Sequence, residues 1–154
     1  MELPTRKQNR LSCFDYRNPG YYFITICTRD KENLFWIPSE EEKPVLSDMG
    51  KTVDQSIRSI PQHYPLIHLN KYVVMPNHVH LILIIDGWEE AQSGPAISTV
   101  VGQMKRAVSK SLRQEIWQRS FHDHVIRNEK DYQMIWQYIE DNPRKWKEDC
   151  FYTE

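Results

Sequence analysis

The sequence predicts an α+β sandwich, helices packed on an antiparallel sheet, as one domain over residues 1–154. Three observations predict it. Segments with strand and helix character follow one another in the order β-α-β-β-α-β-α. Two strand-like runs, "IHLNKYVV" (67–74) and "HVHLILII" (78–85), are separated only by Met75, Pro76 and Asn77, which turns the chain back on itself as a hairpin. The helical segments each carry one apolar face, as a helix lying on a sheet requires. A chain of 154 residues, 40% apolar and 27% charged, is long enough to bury a core in this way.

Taken in order, "GYYFITICT" (20–28) is β-branched and aromatic, follows Asn18-Pro19, and reads as the first strand. A charged loop containing "SEEE" (39–42) comes next. In "SDMGKTVDQSIRSI" (47–60), Met49, Val53, Ile57 and Ile60 recur at helical spacing, with Ser47 or Asp48 as cap and Pro61 as stop. The hairpin follows; proline fits the tightest primed turns poorly, so a bulge or a longer loop is expected. "DGWEEAQSGP" (86–95) reads as a loop. From Ile97 a helix is marked by Val100, Val101, Met104, Val108, Leu112 and Ile116, with Ser98 as its cap. "SFHDHVIRN" (120–128) contains a short strand, "EKDYQMIWQYIEDN" (129–142) is a last helix ending near Pro143, and "PRKWKEDC" (143–150) forms a further turn or helix.

Composition excludes some classes of function. No apolar run approaches the ~18 residues of a membrane span. The three cysteines, Cys13, Cys27 and Cys150, are far apart and form no CxxC, which points to free thiols in a reducing compartment. A soluble, cytoplasmic protein is expected. The net charge of −1 rules out a strongly basic nucleic-acid binder but hides a division. Residues 101–119 hold Lys105, Arg106, Lys110, Arg113 and Arg119 against the single acid Glu115, and "RKQNR" (6–10) is also basic.

The unusual feature is the histidine pair of "MPNHVHLILII" (75–85). Side chains alternate along a strand, so His78 and His80 share one face with Ile82 and Ile84, while Val79, Leu81, Leu83 and Ile85 take the other. Two imidazoles on one rigid strand need little reordering to chelate a metal. Equally, histidines beside a turn are often solvated or bonded to backbone carbonyls. A second His-x-His, His122 and His124 around Asp123, competes for the same role or supplies a ligand to the first.

Near the end of the chain Tyr138 and Asn142 are four apart, so a helix stacks them on one face with Met134 one turn earlier. Tyrosine, with an ordinary pKa of ~10, is a weak nucleophile, but a phenolate leaves readily and keeps a phosphoryl-transfer step reversible. The residues by themselves also allow Tyr138 to pack beside Met134 and Ile135. Asn142 before Pro143 can cap a new helix, and proline disfavours helical backbone at Asn142, so either role calls for a break there.

"MPNHVHLIL", followed some sixty residues later by "YIEDNPRKW", resembles the REP-associated tyrosine transposases, relatives of the transposases of the smallest bacterial insertion sequences. "RLSCFDYRNPGYYFITICT" is similar to that family's first strand and "WQRSFHDHVIRNEKDY" to its lead into the last helix, so the resemblance covers nearly the whole chain. It places the chain among the HUH enzymes, in which a hydrophobic residue separates two metal-ligating histidines. The resemblance implies a ferredoxin-like fold, a divalent metal (Mg²⁺ or Mn²⁺), and a tyrosine that attacks single-stranded DNA to leave a 5′-phosphotyrosine and a free 3′-hydroxyl. On this sequence it makes His78 and His80 ligands, Val79 the spacer, Tyr138 the nucleophile and Asn142 the third, polar ligand. In related transposases that ligand is often glutamine, which is longer.

The expected partner is single-stranded DNA carrying palindromic hairpin repeats. Arg6, Lys7 and Arg10 lie in a segment resembling one that recognises the hairpin base, and Lys105, Arg106, Lys110 and Arg113 offer phosphate contacts or simply a solvated face. Tyr21, Trp117 and Trp146 are either platforms for bases or core residues. Two other readings stay open: a module that binds single strands without cutting, and a metal-dependent hydrolase using both histidine pairs without Tyr138. Monomer and homodimer are both compatible with the sequence.

Overall fold

In a computed structural model of the chain, the described residues are 20–86 and 96–154. Arg6, Lys7, Arg10 and Cys13, and nearly all of the expected 86–95 loop, therefore lie outside the described residues. Strand β1 (Gly20–Cys27) is followed by a 3-10 turn (Arg29–Lys31) and a two-stranded ribbon, β2 (Trp36–Ile37) with β3 (Val45–Leu46). Helices α1 (Asp48–Arg58) and α2 (Ile60–His63) lead into β4 (Ile67–Val74) and β5 (His78–Ile85). Helix α3 (Ile97–Leu112), strand β6 (His122–Ile126), helix α4 (Glu129–Asp141) and a 3-10 turn (Trp146–Glu148) complete the chain.

The main sheet has the order β4-β5-β1-β6 with every neighbouring pair antiparallel. Its four strands alternate with α1 and α3 as β-α-β-β-α-β, which is the ferredoxin-like arrangement predicted. The hairpin from β4 to β5 also forms as expected. Its three-residue connection is locked: the Pro76 carbonyl accepts both the Leu34 and Phe35 N–H groups, at 2.8 and 3.0 Å, and the irregularity falls inside β4, between Leu69 and Lys71.

One face of the sheet is largely apolar. Tyr22, Ile24 and Ile26 of β1 and Val79, Leu81, Leu83 and Ile85 of β5 meet Val53 and Ile57 of α1 and Val100, Val101, Met104 and Val108 of α3. Burying an aliphatic side chain contributes roughly 1.5–3 kcal/mol, so this layer dominates stability. Ser47 caps α1, its Oγ accepting the Gly50 N–H at 3.0 Å. Gly50 is required there, because a Cβ would stand 2.2 Å from the Phe35 carbonyl oxygen.

Four local expectations are corrected. The charged loop after β1 contains the β2–β3 ribbon, whose two-residue strands are too short to show alternation. Pro61 does not end helical backbone but sits at the start of α2, where its missing N–H costs nothing. Helix α3 is preceded by Ala96, not capped by Ser98, which falls in its first turn. Asn142 keeps helical backbone (φ −56°, ψ −47°) as the C-cap of α4 despite Pro143, and caps no new helix. Among the described residues no helix is long and apolar enough to cross a membrane.

Candidate active site

The second face of the sheet carries the polar residues. Cross-strand register sets His78 opposite Cys27, His80 opposite Thr25 and Ile82 opposite Phe23, so these side chains project together. Helix α4 covers this face, running against β4 and reaching β5 through Tyr138. At one end the Tyr132 hydroxyl donates to Asn70 Oδ1 at 2.8 Å, and the Tyr132 ring meets Tyr21 edge-on. At the other, the Tyr138 ring stands 5.3 Å from the His80 ring and 6.4 Å from Phe23. Tyr138 is 41% exposed, so its phenol is reachable from solvent, whereas Asn142 one turn later is buried.

His78 and His80 are 0% and 1% exposed, with rings 4.6 Å apart. Each is held through Nδ1. For His78 the partner is Asn77 Oδ1 at 2.8 Å. Asn77 Nδ2 donates to the Phe151 carbonyl at 2.7 Å, so the amide orientation is set: Oδ1 accepts, His78 Nδ1 carries the proton, and Nε2 keeps its lone pair. His80 Nδ1 shares a 2.8 Å hydrogen bond with Thr25 Oγ1. The outer atoms, His78 Nε2, His80 Nε2 and Asn142 Oδ1, are all buried and have no hydrogen-bond partner. Leaving a buried polar atom unpaired costs about 1–3 kcal/mol, so three at one place describe a site built for something else to bind.

Electrostatics agree with metal-ligand chemistry. Burial pushes His78 down to about 4, opposed by the negative charge of Asp149 and the nearby Asn142 amide. His80 lies well below its ordinary value through burial and repulsion from His78. Both imidazoles are thus neutral at pH 7, the form that donates a lone pair. Burial raises Tyr138 above 10, the Asn142 amide pulling the other way, and Asp149 and Cys150 adding to the rise. Among the described residues no group of three His, Cys, Asp or Glu side chains converges to hold a metal ion, and Asn142 Oδ1 is the further unpartnered oxygen beside the two imidazoles.

The C-terminal segment closes one side. Phe151 packs on His78 with ring centres 4.5 Å apart, and Trp146 lies 6.1 Å from His78 and 6.2 Å from Trp36.

The structure therefore brings His78, His80, Tyr138 and Asn142 together within a single chain. The second pair is not brought to them. His122 and His124 share this face of the sheet, but on edge strand β6, with β1 in between. His124 Nε2 bonds Asp131 in the first turn of α4 at 2.7 Å, and both histidines are exposed. The basic residues of α3 lie in the opposite layer of the sandwich. Lys105 Nζ donates to the Gln118 and Ser120 carbonyls at 2.9 and 3.0 Å, whereas Arg106, Lys110 and Arg113 are exposed. Trp117 is a core residue against Phe35, Trp146 is partly buried, and Tyr21 is 38% exposed. Asn77 and Thr25 have supporting roles that their sequence context does not announce: the first looks like a turn residue, the second like a strand filler.

No family model matches the chain. An uncharacterized protein of Haemophilus influenzae is 34% identical, over 97% of this chain and 94% of that relative. The REP-associated tyrosine transposase of Escherichia coli K12 is 26% identical over 84% of this chain and 70% of its own length. A solved structure of a REP-associated tyrosine transposase bound to a REP hairpin superposes with a TM-score of 0.66 at 25% identity, covering 94% of this chain and 74% of that one. With the ferredoxin-like sheet, the buried histidine pair and a tyrosine on the covering helix, these likenesses agree: in sequence and fold the chain is similar to the REP-associated tyrosine transposases, a family of enzymes.

Proposed function

We propose that this chain is a metal-dependent single-stranded DNA endonuclease and strand transferase that works through Tyr138 on hairpin-forming palindromic repeats. One observation carries the reading: three buried, unpartnered donor atoms of His78, His80 and Asn142 converge beside an accessible tyrosine on a rigid helix. In this reading those three residues hold Mg²⁺ or Mn²⁺, which when bound polarises a phosphoryl oxygen of the DNA.

The chain's own residues do the rest. Asn77 and Thr25 orient the imidazoles, and α4 fixes Tyr138 relative to them. The phenolic oxygen forms a bond to the scissile phosphorus, the bond from phosphorus to the 3′ oxygen breaks, and the proton lost by tyrosine is balanced by the one gained by the 3′-hydroxyl. A phosphodiester replaces a phosphodiester, so the step reverses or passes the 5′ end to another 3′-hydroxyl. A hairpin substrate is supported by the REP hairpin bound to the solved relative. Arg6, Lys7 and Arg10, and the exposed Arg144, Lys145 and Lys147 just after Asn142, are the cations suited to its phosphates.

The test incubates the protein with Mn²⁺ and labelled single-stranded oligonucleotides made from palindromic repeats flanking its gene, followed by a denaturing gel. The expected result is a covalent protein–DNA band that is lost in Tyr138→Phe and in chelator. An adduct persisting in Tyr138→Phe overturns the assignment. Binding of the correct repeat without any adduct moves the protein to a non-cutting single-strand binder.

A further inference from the structure

The donors at the start of β5 and the end of α4 carry no net charge: two neutral imidazoles and a carboxamide. Hard divalent cations such as Mg²⁺ and Mn²⁺ favour anionic oxygen, so a neutral set holds them weakly unless a negative group stands close. One buried carboxylate lies in the segment that packs on His78. Asp149 follows the 3-10 turn Trp146–Glu148, its N–H donating to the Trp146 carbonyl at 3.0 Å. Its Oδ1 accepts the Phe151 N–H at 2.8 Å, while Oδ2 is buried without a hydrogen-bond partner. The same Phe151 has its ring against His78 and its carbonyl on Asn77 Nδ2, so the segment bearing Asp149 is tied to the residue that orients His78. The charge of Asp149 reaches both His78 and Tyr138. It is nevertheless not grouped with the histidines as a direct ligand.

We propose that Asp149 is a positioning carboxylate: standing just outside the donors of His78, His80 and Asn142, it supplies the negative charge that lets neutral ligands retain a divalent cation beside Tyr138. This rests on the metal-dependent reading of the site. It also explains why a carboxylate oxygen is buried without a hydrogen-bond partner two residues before Phe151.

Mn²⁺ titrated calorimetrically into the DNA-free protein tests it. Asp149→Asn keeps the acceptor for the Phe151 N–H and removes only the charge. The expected result is an Mn²⁺ affinity about 10- to 100-fold weaker, the range typical for groups that act behind metal ligands. Asp149→Glu is expected to recover most of the loss, with the melting temperature of the metal-free protein unchanged. His80→Ala, run alongside, removes a direct ligand. If His80→Ala loses Mn²⁺ while Asp149→Asn binds as wild type does, this inference fails and the metal site stands. If His80→Ala also binds as wild type does, the metal reading itself fails and takes the inference with it. A melting temperature that falls in Asp149→Asn in step with affinity makes the residue structural and overturns the proposal.

Discussion

His78/His80 and His122/His124 are the same local pattern, two histidines one residue apart on a strand, and both pairs project from the same face of one sheet. Their environments have little in common. β5 is a central strand, hydrogen-bonded to β4 on one side and β1 on the other, and its pair is sealed beneath α4 and Phe151. β6 is an edge strand with β1 as its partner, and its histidines face water, one of them paired with Asp131. A strand's place in the sheet, more than the motif, decides whether an imidazole becomes a desolvated lone-pair donor. Neighbours on both sides remove water; an edge leaves it in place.

Truncating one histidine of each pair separates the two environments by their effect on cleavage. His80→Ala is expected to lower covalent adduct formation by about 10³-fold or more, corresponding to the several kcal/mol that metal polarisation contributes. A rate within tenfold of wild type in a gel time course would remove the central pair from the mechanism.

Acid sensitivity gives an intermediate effect. His78 sits at about 4 and His80 well below 6.5 in the folded protein, whereas both return to about 6.5 on unfolding. In that window the unfolded chain binds protons that the folded chain refuses. Stability is therefore fully present above about pH 6.5 and declines as pH falls toward 4. The melting temperature of the metal-free protein is expected to drop by on the order of 5 °C across this range because of the central pair. The double variant His78→Ala/His80→Ala should show a flatter profile by circular dichroism; an identical acid slope would contradict the depressed values.

The smallest effects belong to the edge pair. His122→Ala and His124→Ala are expected to stay within about threefold of wild type in adduct formation. Loss of the exposed ion pair with Asp131 should cost at most about 1 kcal/mol in chemical denaturation. A loss of cleavage in His122→Ala comparable to that in His80→Ala would mean that β1 does not separate the two pairs functionally.

Much of this site is legible in the order of residues along the chain. Alternation alone places His78 and His80 on one face, and a four-residue interval alone stacks Tyr138 over Asn142. The order of strands and helices follows from periodicity, and the Ser47 cap from its position. The β2–β3 ribbon escapes because two-residue strands have no period. Asn142 escapes because proline's bias against helical backbone in the preceding residue is a preference of the free dipeptide, overridden here by the burial that α4 imposes. Trp117 illustrates the same limit, since a lone tryptophan reads as a base platform or a core residue until Phe35 is found against it.

Periodicity, capping and i,i+4 neighbours are properties of the covalent chain and its nearest turns, so residue order was enough for the longer elements and their faces, while it left the two histidine pairs as competitors. Only the assembled fold brings Tyr138 of α4 to His80 of β5, makes β5 central and β6 an edge, and sets Asn77 and Thr25 against the imidazoles. Those outcomes depend on which distant segments exclude water from which side chains, and desolvation is set by the whole assembly of strands and helices rather than by any stretch of residues along the chain.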